Sequence, residues 1–173
     1  MVTDDAATIH VRWMIAKDMQ EVQAINNASL QFPWSERDFE ITIRHRDITG
    51  IVSTIDNRVV GYAVYELFKT AIDILNLAVD PTMRRQGVGS ALVDKIQCIL
   101  SRGRRNLIGV CVSEEKTAGQ LFLKSRGFFW DLTIPEAYGD GSEDAYHFSY
   151  KLPADCARHL DMHVPADFSI PVV

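Results

Sequence analysis

One stretch, from Ile74 to Leu92, constrains the fold of this chain more than any other. It begins with an apolar run over 74–79, interrupted only by Asn76, which has the length that a buried β-strand needs. Pro81 ends the strand, because proline has no N–H to donate to a sheet. An amphipathic pattern then predicts a helix, with Gly103 as a stop signal after it. A strand, a tight loop and a helix in this order predict an α/β fold.

The loop between this strand and helix has the chemistry of an anion-binding site. Gly87 and Gly89 let the backbone approach a ligand closely. The first N–H groups of the helix lack intrahelical partners, and Arg84 and Arg85 add positive charge. The P-loop is excluded because Ser90 and alanine follow the second glycine, and the dinucleotide loop because it needs three glycines. A plain glycine-rich turn into a helix is the alternative.

Length and composition limit the class of protein. A chain of 173 residues suits one domain with a sizeable core, and a net charge of -5 gives no support for nucleic-acid binding. Three widely spaced cysteines, Cys98, Cys111 and Cys156, suggest neither a disulfide framework nor a metal site. The sequence shows no signal peptide and no apolar run long enough to span a bilayer. We therefore expect a cytoplasmic protein with no membrane, nucleic-acid or metal partner.

Strand and helix patterns alternate along the rest of the chain. They predict a mixed-sheet α/β domain over 8–153, with a flexible N-terminus at 1–7 and a C-terminal extension at 154–173. The predicted helices cover 17–28, 36–45, 87–102 and 117–126. The predicted strands cover 9–13, 51–55, 59–68, 72–79, 106–112, 128–134 and 145–152.

Several short motifs over 9–152 resemble one known family. The pattern Arg84-x-x-Gly87-x-Gly89 resembles the pyrophosphate loop of the GNAT superfamily of acetyl-CoA-dependent N-acetyltransferases. Four more segments resemble its RimI type, the ribosomal-protein alanine N-acetyltransferases. These segments are Phe32-Pro33-Trp34-Ser35, Asn76-Leu77-Ala78-Val79-Asp80-Pro81, Ser125-Arg126-Gly127-Phe128 and Asp140-Gly141-Ser142-Glu143-Asp144-Ala145.

This resemblance implies a fold, a cosubstrate and an acceptor. The fold would be a single-domain GNAT-type mixed, mostly antiparallel sheet flanked by helices, and the protein would be a monomer or homodimer. The acceptor would be the N-terminal amine of a protein or peptide, with a ribosomal protein as one candidate. Phe32, Trp34 and Tyr138 would contact it, although Phe32 and Trp34 could equally form a core staple. Acetyl-CoA would be held by Leu77, Ala78, Val79, Arg84, Arg85, Gln86, Gly87, Val88, Gly89, Ser90, Lys116 and Leu123.

The residues that move protons in the RimI pattern are absent. Cys111 stands where the family has a glutamate as general base, Lys116 replaces an asparagine, and Leu123 replaces a tyrosine that acts as general acid. Tyr138, Glu114 and Cys111 are the replacement candidates. Weaker candidates are Glu66 and Asp73, and His147 is expected to be a packed or edge histidine.

Three functions remain open from the sequence. The chain could acetylate a protein N-terminus, acetylate a small amine, or bind the cofactor without turnover. A peptide enzyme should have an open groove, whereas a small-amine enzyme should have a closed pocket lined by carboxylates. Transfer should be direct, without an acetyl-cysteine, because a thiol in a buried strand has a raised pKa and little thiolate.

Overall fold

The computed structural model describes residues 8–138 and 143–153. The predicted elements are found there in the same order, with two short 3-10 turns at Ala16–Asp18 and Pro81–Met83. The helices are α1 (Met19–Ser29), α2 (Glu36–Ile43), α3 (Val88–Gln97) and α4 (Thr117–Ser125). The strands are β1 (His10–Trp13), β2 (Ile48–Ile55), β3 (Arg58–Leu67), β4 (Ala71–Val79), β5 (Leu107–Ser113), β6 (Phe129–Tyr138) and β7 (Glu143–Lys151).

The seven strands form one sheet in the order β1-β2-β3-β4-β5-β7-β6. Within the described ranges β4 and β5 run parallel, and the other neighbouring pairs are antiparallel. This arrangement confirms the expected mixed, mostly antiparallel sheet with flanking helices. The expectations for 1–7, for 154–173 and for the motif residues 140–142 lie outside the described residues.

Each face of the sheet has its own apolar core. On one face α3 and α4 pack through Leu92, Ile96 and Leu123 against the centre of the sheet. On the other face α1 and α2 pack through Val22 and Phe39 against β2, β3 and β4. No helix in the described ranges is long and apolar enough to cross a membrane.

The sheet opens between β4 and β5. Ala71–Ile74 pairs with Leu107–Val110, and the pairing ends there although both strands continue. The register of β3 against β4 shifts between Val64 and Tyr65, which leaves Leu75 as an extra residue in β4. A bulge of this kind bends a strand, so β4 diverges from β5 at the point where the two helical layers flank it.

Three predicted boundaries were wrong by several residues. α3 ends at Gln97, five residues before the expected end, because the chain turns there so that Leu100 enters the core. β2 begins at Ile48 because its first residues pair with the end of β3. β6 extends to Tyr138 because Tyr138 pairs with Glu143 across the hairpin. Tertiary contacts set all three ends, and local sequence patterns do not report them.

Candidate active site

The loop before α3 has the backbone conformation that its glycines predicted. Gly87 caps the helix with φ +88°, and Arg85 also has a positive φ of 65°. The first intrahelical bond of this turn runs from the Ala91 N–H to the Gly87 carbonyl. The N–H groups of residues 88–90 precede it and have no carbonyl of the helix to bind, so they are available to an anion.

Two glycines bring this loop close to its neighbours. A Cβ on Gly61 in β3 would lie 2.8 Å from Val88 Cγ1, so the absence of a side chain there lets α3 pack tightly on the sheet. A Cβ on Gly89 would lie 3.3 Å from Phe122 Cζ and 3.5 Å from Val79 Cγ2. Gly89 therefore faces the gap between α3, α4 and β4.

The end of β4 presents backbone groups to the same gap. The Asp80 N–H donates to the Val60 carbonyl at 2.9 Å, which makes the adjacent Gly61–Val79 pair one of the non-hydrogen-bonded type. The N–H of Val79 therefore points away from β3, toward the side where β5 has diverged. The Val79 carbonyl accepts a hydrogen bond from Ser29 Oγ at 3.0 Å, which ties the end of α1 to this strand.

A cleft of ≈ 790 Å³ connects these groups and passes through the opening of the sheet. On one side it is lined by the α3 loop and α4, and on the other by the connection between α1 and α2. The predicted cofactor residues that line it are Leu77, Ala78, Val79, Arg84, Arg85, Gly87, Gly89, Ser90, Lys116 and Leu123. Gln86 and Val88 do not line it, because the Gln86 amide bonds the Thr82 carbonyl and Val88 is buried in the core. Gln86 and Val88 could therefore contact a cofactor only through their backbone N–H groups.

The predicted substrate residues Phe32 and Trp34 line the opposite end of the cleft. The backbone of Trp34 is held by Asn26, whose amide donates to its carbonyl at 2.9 Å and accepts from its N–H at 3.2 Å. The Trp34 ring also packs edge-on against Phe39 at 5.2 Å. Trp34 thus has both properties that the sequence left open, since it lines the cleft and staples α2 to the loop.

A buried polar network connects the acceptor end to β4. The Tyr62 hydroxyl lies 3.2 Å from Asn26 Oδ1 and 2.9 Å from Asn76 Oδ1, and all three residues are buried. Burial raises the pKa of Tyr62 well above its usual value, so the hydroxyl stays protonated and can donate. This network fixes the loop at Trp34 relative to the bulged strand.

Sequence reasoning did not identify Glu143 as a site residue. This carboxylate is buried, and it accepts hydrogen bonds from Gln31 Nε2 at 2.6 Å and from Ser113 Oγ at 2.7 Å. Gln31 and Ser113 both line the cleft. Glu143 therefore links the loop after α1 to the end of β5. The resemblance of residues 140–145 to a family motif was the signal that could have indicated it.

The three catalytic candidates are not brought together. Glu114 lies outside the cleft lining, and its carboxylate accepts from the Asp144 N–H at 3.3 Å. Tyr138 ends β6 and pairs with Glu143, and the described structure does not extend to its side chain. Cys111 lines the cleft but is exposed, so the expectation of a buried thiol was wrong. It was wrong because Cys111 faces the half of the sheet that α1 and α2 leave uncovered.

The thiol of Cys111 is nevertheless poorly ionised. Desolvation by its strand neighbours raises the pKa of Cys111, and the carboxylates of Asp73 and Asp131 raise it further. A thiol with a raised pKa carries little thiolate at neutral pH and is a weak nucleophile. Cys111 is therefore still expected to be a weak nucleophile because of its raised pKa, although its side chain is exposed.

Comparison with known proteins supports the fold and indicates a family for the central part of the chain. The model of the acetyltransferase (GNAT) domain family matches residues 46–128, which include β4, the α3 loop and α4. The [ribosomal protein bS18]-alanine N-acetyltransferase of Escherichia coli strain K12 is 28% identical over 131 residues, which cover 74% of this chain and 87% of that protein. Residues 46–128 therefore carry a GNAT acetyltransferase domain.

Solved structures agree with this assignment. The ribosomal-protein-S18-alanine N-acetyltransferase from Escherichia coli superposes with a TM-score of 0.76 at 22% identity, over 87% of this chain and 98% of that one. Ard1 from Thermoplasma volcanium gives a TM-score of 0.76 at 27% identity, over 84% and 98%. Arabidopsis thaliana NAA60 in complex with acetyl-CoA gives 0.74 at 16% identity, over 84% and 100%. The chain thus has the general fold of these proteins.

Proposed function

We propose that this acetyltransferase transfers the acetyl group of acetyl-CoA to the N-terminal α-amine of a protein or peptide. The observation that carries the proposal is the cleft, which passes through the sheet and has no carboxylate side chain among its lining residues within the described ranges. A pocket for a polyamine would need acidic side chains to pair with several ammonium groups. An α-amine presents one charge on an extended chain, which an open and largely neutral groove can admit.

The α3 side of the cleft fits the cosubstrate. Free N–H groups at residues 88–90 and the cations Arg84, Arg85 and Lys116 suit a pyrophosphate, and Gly89 leaves space beside Phe122. The Val79 N–H, which points away from β3, could donate to a thioester carbonyl. These residues would bind and orient acetyl-CoA, which supplies the activated acetyl group.

The opposite side of the cleft fits the acceptor. The loop at Phe32 and Trp34 is held by Asn26, and Gln31 is held by Glu143, so its shape is fixed before any peptide binds. Preorganisation of this kind lowers the cost of placing an amine against a thioester. The relatives named for the alanine of a ribosomal protein make peptides that begin with alanine the first acceptors to examine.

A panel of acceptors tests the proposed function. Purified protein and acetyl-CoA are mixed with peptides that begin with each amino acid, with the same peptides blocked at the N-terminus, and with free polyamines and aminoglycosides. We expect mass spectrometry to show acetylation of unblocked peptides at the α-amine, with measurable kcat/KM, and no reaction of blocked peptides. Turnover of the free amines alone would contradict the proposal, as would the absence of turnover with every acceptor.

We further propose that transfer is direct, in a ternary complex of protein, acetyl-CoA and acceptor. Cys111 is then expected to carry no acetyl group after incubation with acetyl-CoA alone, because its raised pKa leaves little thiolate to attack. Intact-protein mass spectrometry checks this, with Cys111→Ala as the control for acetylation elsewhere. An adduct on Cys111 that forms and is discharged to the acceptor at the rate of turnover would establish a two-step, covalent transfer.

Removal of the Trp34 side chain should weaken acceptor binding more than cosubstrate binding. Trp34→Ala deletes a wall of the acceptor end while leaving the α3 loop untouched, so the acceptor KM should rise by about tenfold or more. Steady-state kinetics with a peptide and calorimetry with acetyl-CoA measure the two effects. Loss of the folded state, seen as a loss of cooperative unfolding, would instead assign Trp34 mainly to the contact with Phe39.

A further inference from the structure

A polar cluster lies on the face of the sheet opposite α3 and α4, beside the cleft. It is formed by Asp73 on β4, Cys111 on β5, Asp131 on β6, and His147 and Ser149 on β7. The strand register brings them together. Cys111 pairs with His147, and Gly109 on β5 pairs with Asp73 on one side and with Ser149 on the other. Cys111 and Asp131 are exposed, so water reaches this part of the sheet.

His147 is held in one orientation by Asp131. The His147 Nδ1 lies 2.7 Å from one carboxylate oxygen of Asp131, and Ser149 Oγ donates to the other at 2.6 Å. The β6–β7 register shifts between Trp130 and Leu132, so Asp131 is the extra residue of a bulge. A bulge re-aims a side chain, and here it lets one carboxylate bond two residues of the neighbouring strand.

The hydrogen bond to Asp131 fixes which nitrogen of His147 is basic. Desolvation opposes ionisation of Asp131, but the hydrogen bonds from Ser149 and His147 outweigh it, so the pKa of Asp131 lies below its usual value. An ionised carboxylate only accepts, so the neutral imidazole carries its proton on Nδ1 and donates it. The lone pair of the ring is then on Nε2.

Nε2 of His147 points along the sheet toward β4. An ideal Cβ on Gly109 would lie 2.8 Å from this nitrogen and 2.7 Å from Asp73 Oδ1, so both side chains share the space above the glycine. Burial raises the pKa of Asp73, and the positive charge of a protonated His147 works against that rise. Asp73 is therefore placed to stabilise an imidazolium once it forms.

The cluster adjoins the point where an acceptor amine would meet the thioester. Cys111 lines the cleft and is the cross-strand neighbour of His147. The His147 side chain is 25% exposed, so water can reach it. Cys111 itself is a poor base, because its raised pKa leaves it as a neutral thiol.

We propose that His147, oriented by Asp131, accepts the proton of the acceptor ammonium through water. This inference rests on the proposed function. His147 Nε2 takes one proton from the ammonium through water, and the amine nitrogen then forms a C–N bond to the acetyl carbon as its C–S bond breaks. The second proton of the nitrogen passes through water to the departing sulfur, and His147 returns its proton to solvent. Asp131 is a positioning residue in this scheme.

The pH dependence of kcat/KM tests the scheme with an acceptor that the wild type uses. In the scheme the productive complex pairs the acceptor ammonium with neutral His147, so the wild-type log kcat/KM should stay level while the free acceptor takes up its proton, and should fall with a slope of one only at more acidic pH. His147→Gln can use only acceptor that is already neutral, so its log kcat/KM should fall with a slope of one from the pKa of the acceptor amine, about 7.7–8.0, and its maximal value should be about 100-fold lower. His10→Gln, on the exposed edge strand β1, is the matched control and should keep the wild-type profile.

A second variant and a measurement on the free protein complete the test. Histidine ¹⁵N NMR should show the Nδ1–H tautomer of His147 in the wild type, and Asp131→Asn should remove that preference and lower kcat/KM. If His147→Gln fails to fold, Asp131→Asn decides, because a changed tautomer with unchanged kcat/KM would overturn the proposal. A folded His147→Gln that keeps the wild-type pH profile and activity within about threefold would also overturn it.

These outcomes are separate from those of the proposed function. If no α-amine is acetylated by the wild type, the proposed function fails before any variant is compared. The profile can then be measured with whichever amine the enzyme does accept. If the wild type acetylates peptides and the His147 and Asp131 variants behave like it, the proton-accepting role alone is overturned.

Discussion

Replacing Gly89 with aspartate should abolish measurable binding of acetyl-CoA. The new Cβ would lie 3.3 Å from Phe122 Cζ and 3.5 Å from Val79 Cγ2, in the gap that the cosubstrate would use. The carboxylate would stand at the helix end where the phosphates would bind. Juxtaposed like charges cost several kcal/mol, which corresponds to a loss of affinity of about 100-fold or more.

The same substitution should not unfold the protein. An acidic residue in the first turn of a helix stabilises it by about 0.3–1 kcal/mol, and replacement of a helical glycine also favours the helix. The effect on binding is therefore separable from an effect on folding. Isothermal calorimetry measures the affinity, and thermal unfolding measures the stability.

Gly103→Asp is the matched control for this experiment. It introduces the same side chain at a glycine where a Cβ would meet nothing within 4 Å, outside the cleft lining. We expect its affinity for acetyl-CoA to equal that of the wild type. An affinity of Gly89→Asp within about threefold of the control would show that the α3 loop does not hold the phosphates.

The largest loss of stability is expected from Phe39→Ala. Phe39 is fully buried, and its ring packs edge-on against Trp34 at 5.2 Å and Tyr62 at 6.0 Å. Truncation of a buried phenylalanine leaves a cavity and costs about 3–5 kcal/mol of the free energy of unfolding. This cost is a large fraction of the total free energy of unfolding of a typical protein, which is about 5–15 kcal/mol.

Urea unfolding of Phe39→Ala and Ile41→Ala measures the effect with a control from the same helix. Ile41 is 51% exposed, so its truncation should change the free energy of unfolding by about 0.5 kcal/mol or less. A cost for Phe39→Ala below about 1.5 kcal/mol would mean that the site collapses around the cavity, and that the packing of α2 does not depend on this ring.

Local sequence determined the elements and the backbone conformation of the loop before α3. The apolar run over 74–79, Pro81 and Gly87 act within a few residues of one another, so their effect on strand end and helix start can be predicted without tertiary contacts. The positive φ of Gly87 confirms the conformational reason for a glycine there. The resemblance to GNAT proteins was confirmed for the same reason, because its motifs are local.

The positions of the residues expected to bind the acceptor or to transfer protons were decided by the tertiary structure. Gln31 and Ser113 meet at Glu143, although these residues are far apart in the chain; the motif at 140–145 could mark Glu143 but not its two partners. Cys111 was expected to be buried, but the helices that cover this face of the sheet stop at β4. Coverage of a face is a property of packing between elements.

Strand register decided the cluster at His147. The side chains of a strand alternate between faces, so a shift by one residue moves each of them to the opposite face. The bulge at Asp131 sets the register of β6, and through it the 2.7 Å contact with His147. Bulges arise from the fit of whole strands to their neighbours. The sequence by itself therefore determined the α/β order and the loop at Gly87, while the pairing of strands decided which polar side chains share one face.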